Sequence, residues 1–430
     1  MVTVAGSLGE VKTQLQQLVP DHEVFRICRE VRHVWRDRIL NPAVIIQLFL
    51  LQLLAKVALQ GLRQVANISV TAQAICQAKQ RLPLQLLMEL VGCSVPKGLL
   101  SSTWKGLKVY LADGMSFMTP DTPELARHYG KASNQWGKHF GFPTPKLLAL
   151  MDCDGGFIHK VIALPWARQE FTCLGRLFKA LGRDALLLGD RGLVSFVHLA
   201  LLLRAGVHGC FRLPRQQIAS GRGRRSHQKL KRLGRQDWLV TWIKDRKGRR
   251  VRWMSRIQWK ALPQELTLRQ ISFRIVRKGF RVHWAWIVTT LLDPQTYPAQ
   301  ELVELYAKRW QIEVYFRDLK QGLGMAKLSS RSVLGARKEI LAFVLLYNLV
   351  RRVMRQSAQT QEVSADRISF TDARDWLLWS SLGDAIPKLK VNPRRMRQTS
   401  PRRLKKSFRR FPPMYKTREA YRKPPCKAVL

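Results

Sequence analysis

YAKRWQIEVYFRDLK, residues 306–320, is the stretch whose spacing decides how the rest of the chain is read. Tyr306, Arg309, Glu313 and Lys320 stand at offsets that fall, at about 100° per residue, at roughly 0°, 300°, 340° and 320° around a helix. A tyrosine, two cations and a carboxylate thus share one narrow face. Leu305, Ile312, Phe316 and Leu319 cluster beside it at roughly 220° to 280° and would seat the helix on an apolar layer. The neighbouring acids Asp318 and Glu304 fall at roughly 120° and 160°, pointing away, so geometry selects Glu313. Arg317, at roughly 20°, joins the stripe on the same count. An ordinary surface helix would also pair Arg309 with Glu313; what speaks for more is the company this stripe keeps upstream.

Working back from it, short apolar runs separated by turn residues begin at Leu107 and predict strands. KVYLA (108–112) ends at Asp113-Gly114, and ALLLG (185–189) ends at Asp190. A carboxylate directly after an apolar strand sits where side chains converge at a sheet edge. KLLALM (146–151) and FIHKVIAL (157–164) are joined across DCDGG, a hairpin signal; Asp152 and Asp154 read as turn residues there, as does Asp121 in TPDTPEL. An amphipathic helix follows Asp190 to about Arg204, and HGCFRL (208–213) makes a fifth strand. Three meandering strands, then strands alternating with helices, predict an α/β core with a mixed sheet of the ribonuclease H type over 106–213 and 299–355. Residues 214–298 read as a β-rich insertion, with strand-like WLVTWI, VRWMSRI, LRQISFRIV and RVHWAWIVTT. Helices resume at about Ala299 and run to about Met354, broken near Ser329 to Leu334.

Residues 1–105 read as helical. Asn41 caps and Pro42 opens an apolar helix through Val57, interrupted by Gln47, Gln52 and Lys56 and shorter than a bilayer span of about 20 residues. A second helical segment runs from Ser69, as N-cap, to Leu90. GLRQVANISV ahead of it gives either a helix-turn-helix or a plain helical bundle. Residues 356–430 form a C-terminal extension that is basic from Lys388 onward.

Lys and Arg number 75 against 29 Asp and Glu, a formal charge of +46, far beyond the needs of solubility. A polyanion partner is implied, and composition alone leaves DNA, RNA and an anionic membrane open. The seven cysteines, at 28, 76, 93, 153, 173, 210 and 426, form no metal or disulfide pattern, and the nine histidines form no triad. The N-terminus lacks the order of a signal peptide, which predicts a cytoplasmic protein without a membrane partner.

The Tyr-x2-Arg-x3-Glu-x6-Lys quartet resembles the signature of the insertion-sequence-four family of DDE transposases. YLADGMSFMTPDTPEL and LLLGDRGLVSF resemble that family's two aspartate blocks, and the order of strand, strand, insertion and helix is its domain plan. The resemblance covers about residues 105–350 well, the N-terminal part loosely and the tail hardly at all. It implies that Asp113, Asp190 and Glu313 ligate two Mg²⁺ ions, with Mn²⁺ as substitute. It implies that Tyr306, Arg309 and Lys320 grip terminal phosphates, that Arg212 is a further phosphate contact, and that Trp286 stacks on a flipped base, with Trp284 as its rival on the same side of a strand. The implied activity is excision of an element at its terminal inverted repeats, through hairpin ends, and insertion into target DNA. The implied partner is double-stranded DNA, held by a homodimer on paired ends, within the cytoplasm at the nucleoid. Two rivals remain open: a metal-dependent nuclease or resolvase on the same core, and a basic nucleic-acid-binding protein with incidental carboxylates.

Overall fold

The computed structural model describes residues 18–393, apart from 37, 67, 97–102, 134–138, 219–226, 245–250, 276–281 and 381–383. The sequence expectations for residues 1–17 and for the tail beyond 393 lie outside the described residues. The helices are α1 (Asp21–Glu30), α2 (Pro42–Ala55), α3 (Leu59–Ala66), α4 (Ala72–Arg81), α5 (Leu84–Ser94), α6 (Pro123–Tyr129), α7 (Phe196–Arg204), α8 (Arg256–Lys260), α9 (Ala299–Ala307), α10 (Gln311–Arg317), α11 (Val333–Thr360) and α12 (Phe370–Trp379). The strands are β1 (Lys108–Ser116), β2 (Lys131–Ser133), β3 (His139–Pro143), β4 (Lys146–Asp152), β5 (Ile158–Leu164), β6 (Ala185–Gly189), β7 (His208–Arg212), β8 (His227–Gly234), β9 (Asp237–Ile243), β10 (Glu265–Ile275) and β11 (His283–Thr289).

Nine strands form one mixed sheet in the order β5-β4-β1-β6-β7-β11-β10-β9-β8, and β2 pairs with β3 apart from it. The meander β1, β4, β5 is antiparallel, whereas β6 and β7 continue parallel to β1. Leu147 to Met151 and Ala185 to Leu188 are buried without a polar break, as strands covered on both faces must be. Side chains alternate between two cores. Leu111, Leu186 and Leu188 face a core shared with α11 and the N-terminal helices, and Tyr110, Ala112 and Leu187 face one shared with α7. The insertion's strands extend this same sheet, because β11 pairs antiparallel with β7.

Several local expectations need correction. VRWMSRI is no strand: Ser255 and Gln258 form a capping box that opens α8 instead. The helix expected over Ser69 to Leu90 is capped by Thr71 and divides at Leu82-Pro83 into α4 and α5, since proline lacks the donor and biases its predecessor away from helix. Asn41 does cap α2, accepting from the Val44 amide at 3.0 Å. Helices continue beyond Met354, as α11 reaches Thr360 and α12 buries Phe370, Ala373 and Leu377 on one stripe. No described helix is long and apolar enough to cross a membrane.

Candidate active site at the carboxyl edge of the sheet

Asp190 follows the end of β6, as expected. Asp113 does not follow β1; it lies inside it, because pairing with β4 carries β1 on to Ser116. Its other neighbour ends first: Ala112 opposite Gly189 is the last β1–β6 pair. Asp113 and Asp190 are therefore the next residues on adjacent parallel strands, and alternation sends both to the face that holds Leu111 and Leu188.

Helices α9 and α10 lie on that face. Arg309 is 3% exposed, and its Nη1 donates to Asp113 Oδ2 at 3.3 Å. The guanidinium lies 5.0 Å from the Trp310 ring and 6.0 Å from that of Tyr306, and its Nε has no partner. The buried Tyr306 hydroxyl donates to the Gly189 carbonyl at 3.2 Å, one residue before Asp190; burial pushes its pKa up. Burial likewise raises Asp113 to about 6, against the Gly114 amide and Arg309, with the charges of Asp190 and Glu170 adding to the rise. Asp190 Oδ1 is buried without a hydrogen-bond partner. This is a carboxylate pair short of positive charge.

The rest of the quartet does not converge with it. The signature is not one regular helix: a 3₁₀ turn, Lys308–Trp310, stands between α9 and α10, and a π turn, Asp318–Gly322, comes after α10. Three residues wound at about 120° instead of 100° rotate the residues after them by roughly 60°, and Glu313 emerges exposed to solvent. Among the described residues, no three His, Cys, Asp or Glu side chains are grouped to hold a metal ion. Lys320 sits half-buried in the π turn, where burial lowers its pKa. Arg317 is exposed and 3.9 Å from the half-buried Asp318, whose carboxyl pKa is raised by burial to about 6 against the charges of Arg317 and Arg351.

Arg212 ends β7 opposite Ile287, near enough for its charge to act on Tyr306. Trp286 is half-buried on β11, tilted against the exposed Trp284 at 6.4 Å. Sequence reasoning missed Glu170. A Cβ on Gly114 would run into the Glu170 carboxylate, which reaches β1 from the face opposite Asp113. The one signal was the glycine beside the aspartate.

A buried network behind the site fixes α10. Arg351 donates to the Gly155 carbonyl at 2.8 Å and to Asp366 at 2.9 Å, and the Tyr315 hydroxyl donates to Asp366 at 3.1 Å. Asp152 accepts from the amides of Gly156 and Phe157 at 3.1 and 3.0 Å. The DCDGG turn is thereby locked against α10 and α11. Gly156, at φ 68°, leaves no room for a side chain beside Tyr315.

Residues 104–349 match the sequence model of the family described as "Transposase DDE domain". The chain is 26% identical over 295 residues to the transposase InsG for insertion sequence element IS4 of Escherichia coli (strain K12), covering 67% of this chain and 62% of that protein. It is 27% identical over 143 residues to the putative transposase InsZ of the same organism, covering 32% of this chain and 47% of that one. The chain thus spans less than two thirds of the length of these relatives. Among solved structures, a piggyBac transposase synaptic complex with hairpin DNA gives a TM-score of 0.47 at 8% identity, covering 87% of this chain and 80% of that one.

Proposed function

The chain belongs to the family of transposases with a DDE domain, of the insertion-sequence-four type, and from that premise we propose that it cuts and joins DNA at the edge carrying Asp113 and Asp190. The observation that carries this reading is the buried, unpartnered Oδ1 of Asp190 beside an Asp113 whose proton affinity is raised. A pair of carboxylates left in want of a cation fits Mg²⁺, with Mn²⁺ as substitute, since hard ions take oxygen ligands.

Asp113 and Asp190 would hold the ions, and Glu313, on the helix that packs across β1, would complete the set of ligands. When bound, two divalent ions activate a water or a DNA 3′-hydroxyl and stabilise the leaving oxygen. Arg309 takes the place of a cation on Asp113 in the DNA-free protein and turns to a phosphate when DNA binds, its forked donors suited to that group. Tyr306, bonded to the backbone beside Asp190, sets the height of the signature helix over the sheet. Lys320 and Arg212 contact flanking phosphates. Trp286 stacks on a flipped base, or Trp284 does in its stead, during a hairpin step.

The strand order β5-β4-β1-β6-β7, antiparallel then parallel, supports the ribonuclease H-like reading of the core. We propose residues 1–105 as the domain that recognises the terminal inverted repeats, with α3 and α4 as its helix-turn-helix, and, within the C-terminal extension expected over 356–430, the basic stretch from Lys388 onward as the segment along DNA, since α12 packs Phe370, Ala373 and Leu377 into the core. Two copies on paired ends make the working unit, in the cytoplasm at the nucleoid.

The test is a cleavage and strand-transfer assay with labelled element ends. Asp113→Asn, Asp190→Asn and Glu313→Gln each lower product formation on the order of 10³-fold or more while leaving end binding in place. EDTA abolishes the reaction in the unaltered chain and Mg²⁺ restores it. Undiminished activity in the three variants would sink the reading; cleavage without joining of precut ends would convert it to a nuclease.

A further inference from the structure

The outer half of the sheet carries a second cationic surface, on the face opposite the carboxylates. Trp238, Gln270, Ser272, Arg274, Trp284 and Trp286 occupy matching positions across β9, β10 and β11. By alternation they look the same way as Val240, Leu268 and Val288, which are buried in the second core. Toward the carboxyl edge that cover ends. Trp284 is 45% exposed, and Arg274 and Arg235 are exposed beside it.

Two of the three indoles there, Trp238 and Trp284, have a cation over them. Lys229 Nζ lies 4.2 Å from the Trp238 ring and the Arg232 guanidinium 5.9 Å from it. Arg274 lies 5.9 Å from the Trp284 ring, and a hollow of about 350 Å³ opens between Arg235, Gln236, Arg274 and Trp284. The acids of β8 to β11 are Asp237 and Glu265; alternation puts both on the other face, and Asp237 is held at 2.9 Å by Arg269. Nothing acidic on these strands neutralises the stripe.

We propose that this stripe binds an unpaired strand of DNA adjoining the cleaved end. Duplex DNA keeps its base faces stacked inside and offers phosphates and groove edges, but no face for an indole to stack on. A surface that sets cations beside partly exposed indoles, Trp284 foremost, gains from both only when the bases are unstacked. Position agrees. Trp286 lies one residue past the level of Arg212 and Asp190, and β11 stands two strands from β6, about 10 Å at ordinary strand spacing. From there the stripe leads outward to β8 at the sheet's edge.

The proposal deepens the transposase reading and rests on it for the source of the unpaired strand. Its test needs no chemistry: full-length protein in EDTA is titrated into labelled dT20, the same-length duplex, and a U20 RNA, and anisotropy is followed. Trp284→Ala weakens dT20 binding at least about fivefold more than it weakens duplex binding, while Trp284→Phe retains most of the affinity. Arg232→Ala with Arg274→Ala lowers the salt slope on dT20 by about 1.4, two single-strand phosphate contacts. Unchanged dT20 binding in Trp284→Ala, equal losses on duplex, or tighter binding of the RNA overturns the proposal. The cleavage assay on unaltered protein fails separately if the parent reading is wrong.

Discussion

Arg309 and Asp113 stand 196 residues apart in the chain and 3.3 Å apart in space, and the pairing explains why a cation belongs in the signature. A half-buried carboxylate such as that of Asp113 gains from compensation when neither metal nor DNA is present. His198 shows the opposite solution. Its Nδ1 meets the Ser195 hydroxyl at 2.8 Å, its ring stacks on Trp253 at 5.2 Å, and its Nε2 has no partner. Burial lowers its pKa to about 4, so the folded protein holds it neutral. An unfolded imidazole titrates near 6.5, and between about pH 6.5 and 4 the unfolded chain binds a proton that the folded one refuses. The stability tied to His198 is complete above that window and is lost as pH falls through it, up to about 3 kcal/mol. Thermal melts at pH 7.5 and 4.5 check this: His198→Gln should lose less Tm on acidification than the unaltered protein. An identical drop in both would refute it.

At the scale of elements, the signature segment is irregular, and the irregularity decides which of its residues meet the sheet. A uniform helix would put all four signature residues on one stripe; the 3₁₀ turn leaves Tyr306 and Arg309 facing the sheet while Glu313 faces solvent. The winding is held from behind by Arg351, which joins the β4–β5 turn, α11 and, through Asp366, Tyr315 of α10. Arg351 is 1% exposed, and removing one partner of a buried pair strands the other. Arg351→Met is therefore expected to cost about 3–5 kcal/mol in urea unfolding, and a loss under about 1 kcal/mol would show the network to be incidental. The strand before Asp190, the DCDGG hairpin and the break before Val333 were legible because turn chemistry and hydrophobic period are local; that β1 runs on through Asp113 was not, because its pairing with β4 is remote in the chain. The 3₁₀ and π turns were not, since no residue in 306–322 marks them; packing against the sheet sets them.

On the scale of the molecule, if DNA is the partner as proposed, the charge of +46 predicts binding ruled by counterion release. With 6–10 phosphate contacts, affinity for duplex ends should fall about 10³-fold or more between 50 and 200 mM salt; filter binding across that range checks it, and a flat response would leave the basic surface without its partner. The amino-acid sequence by itself determined the chemistry on offer and the order of elements, because the spacing of Tyr306, Arg309, Glu313 and Lys320 and the apolar runs before Asp113 and Asp190 are properties of short windows. Tertiary structure alone decided that the insertion continues the central sheet, that the N-terminal helices share a core with α11, that Glu170 lies against Gly114, and that Asp113 meets Arg309 while Glu313 stays outside. Each of those depends on pairings between residues far apart in the chain, whose register and burial no local window encodes.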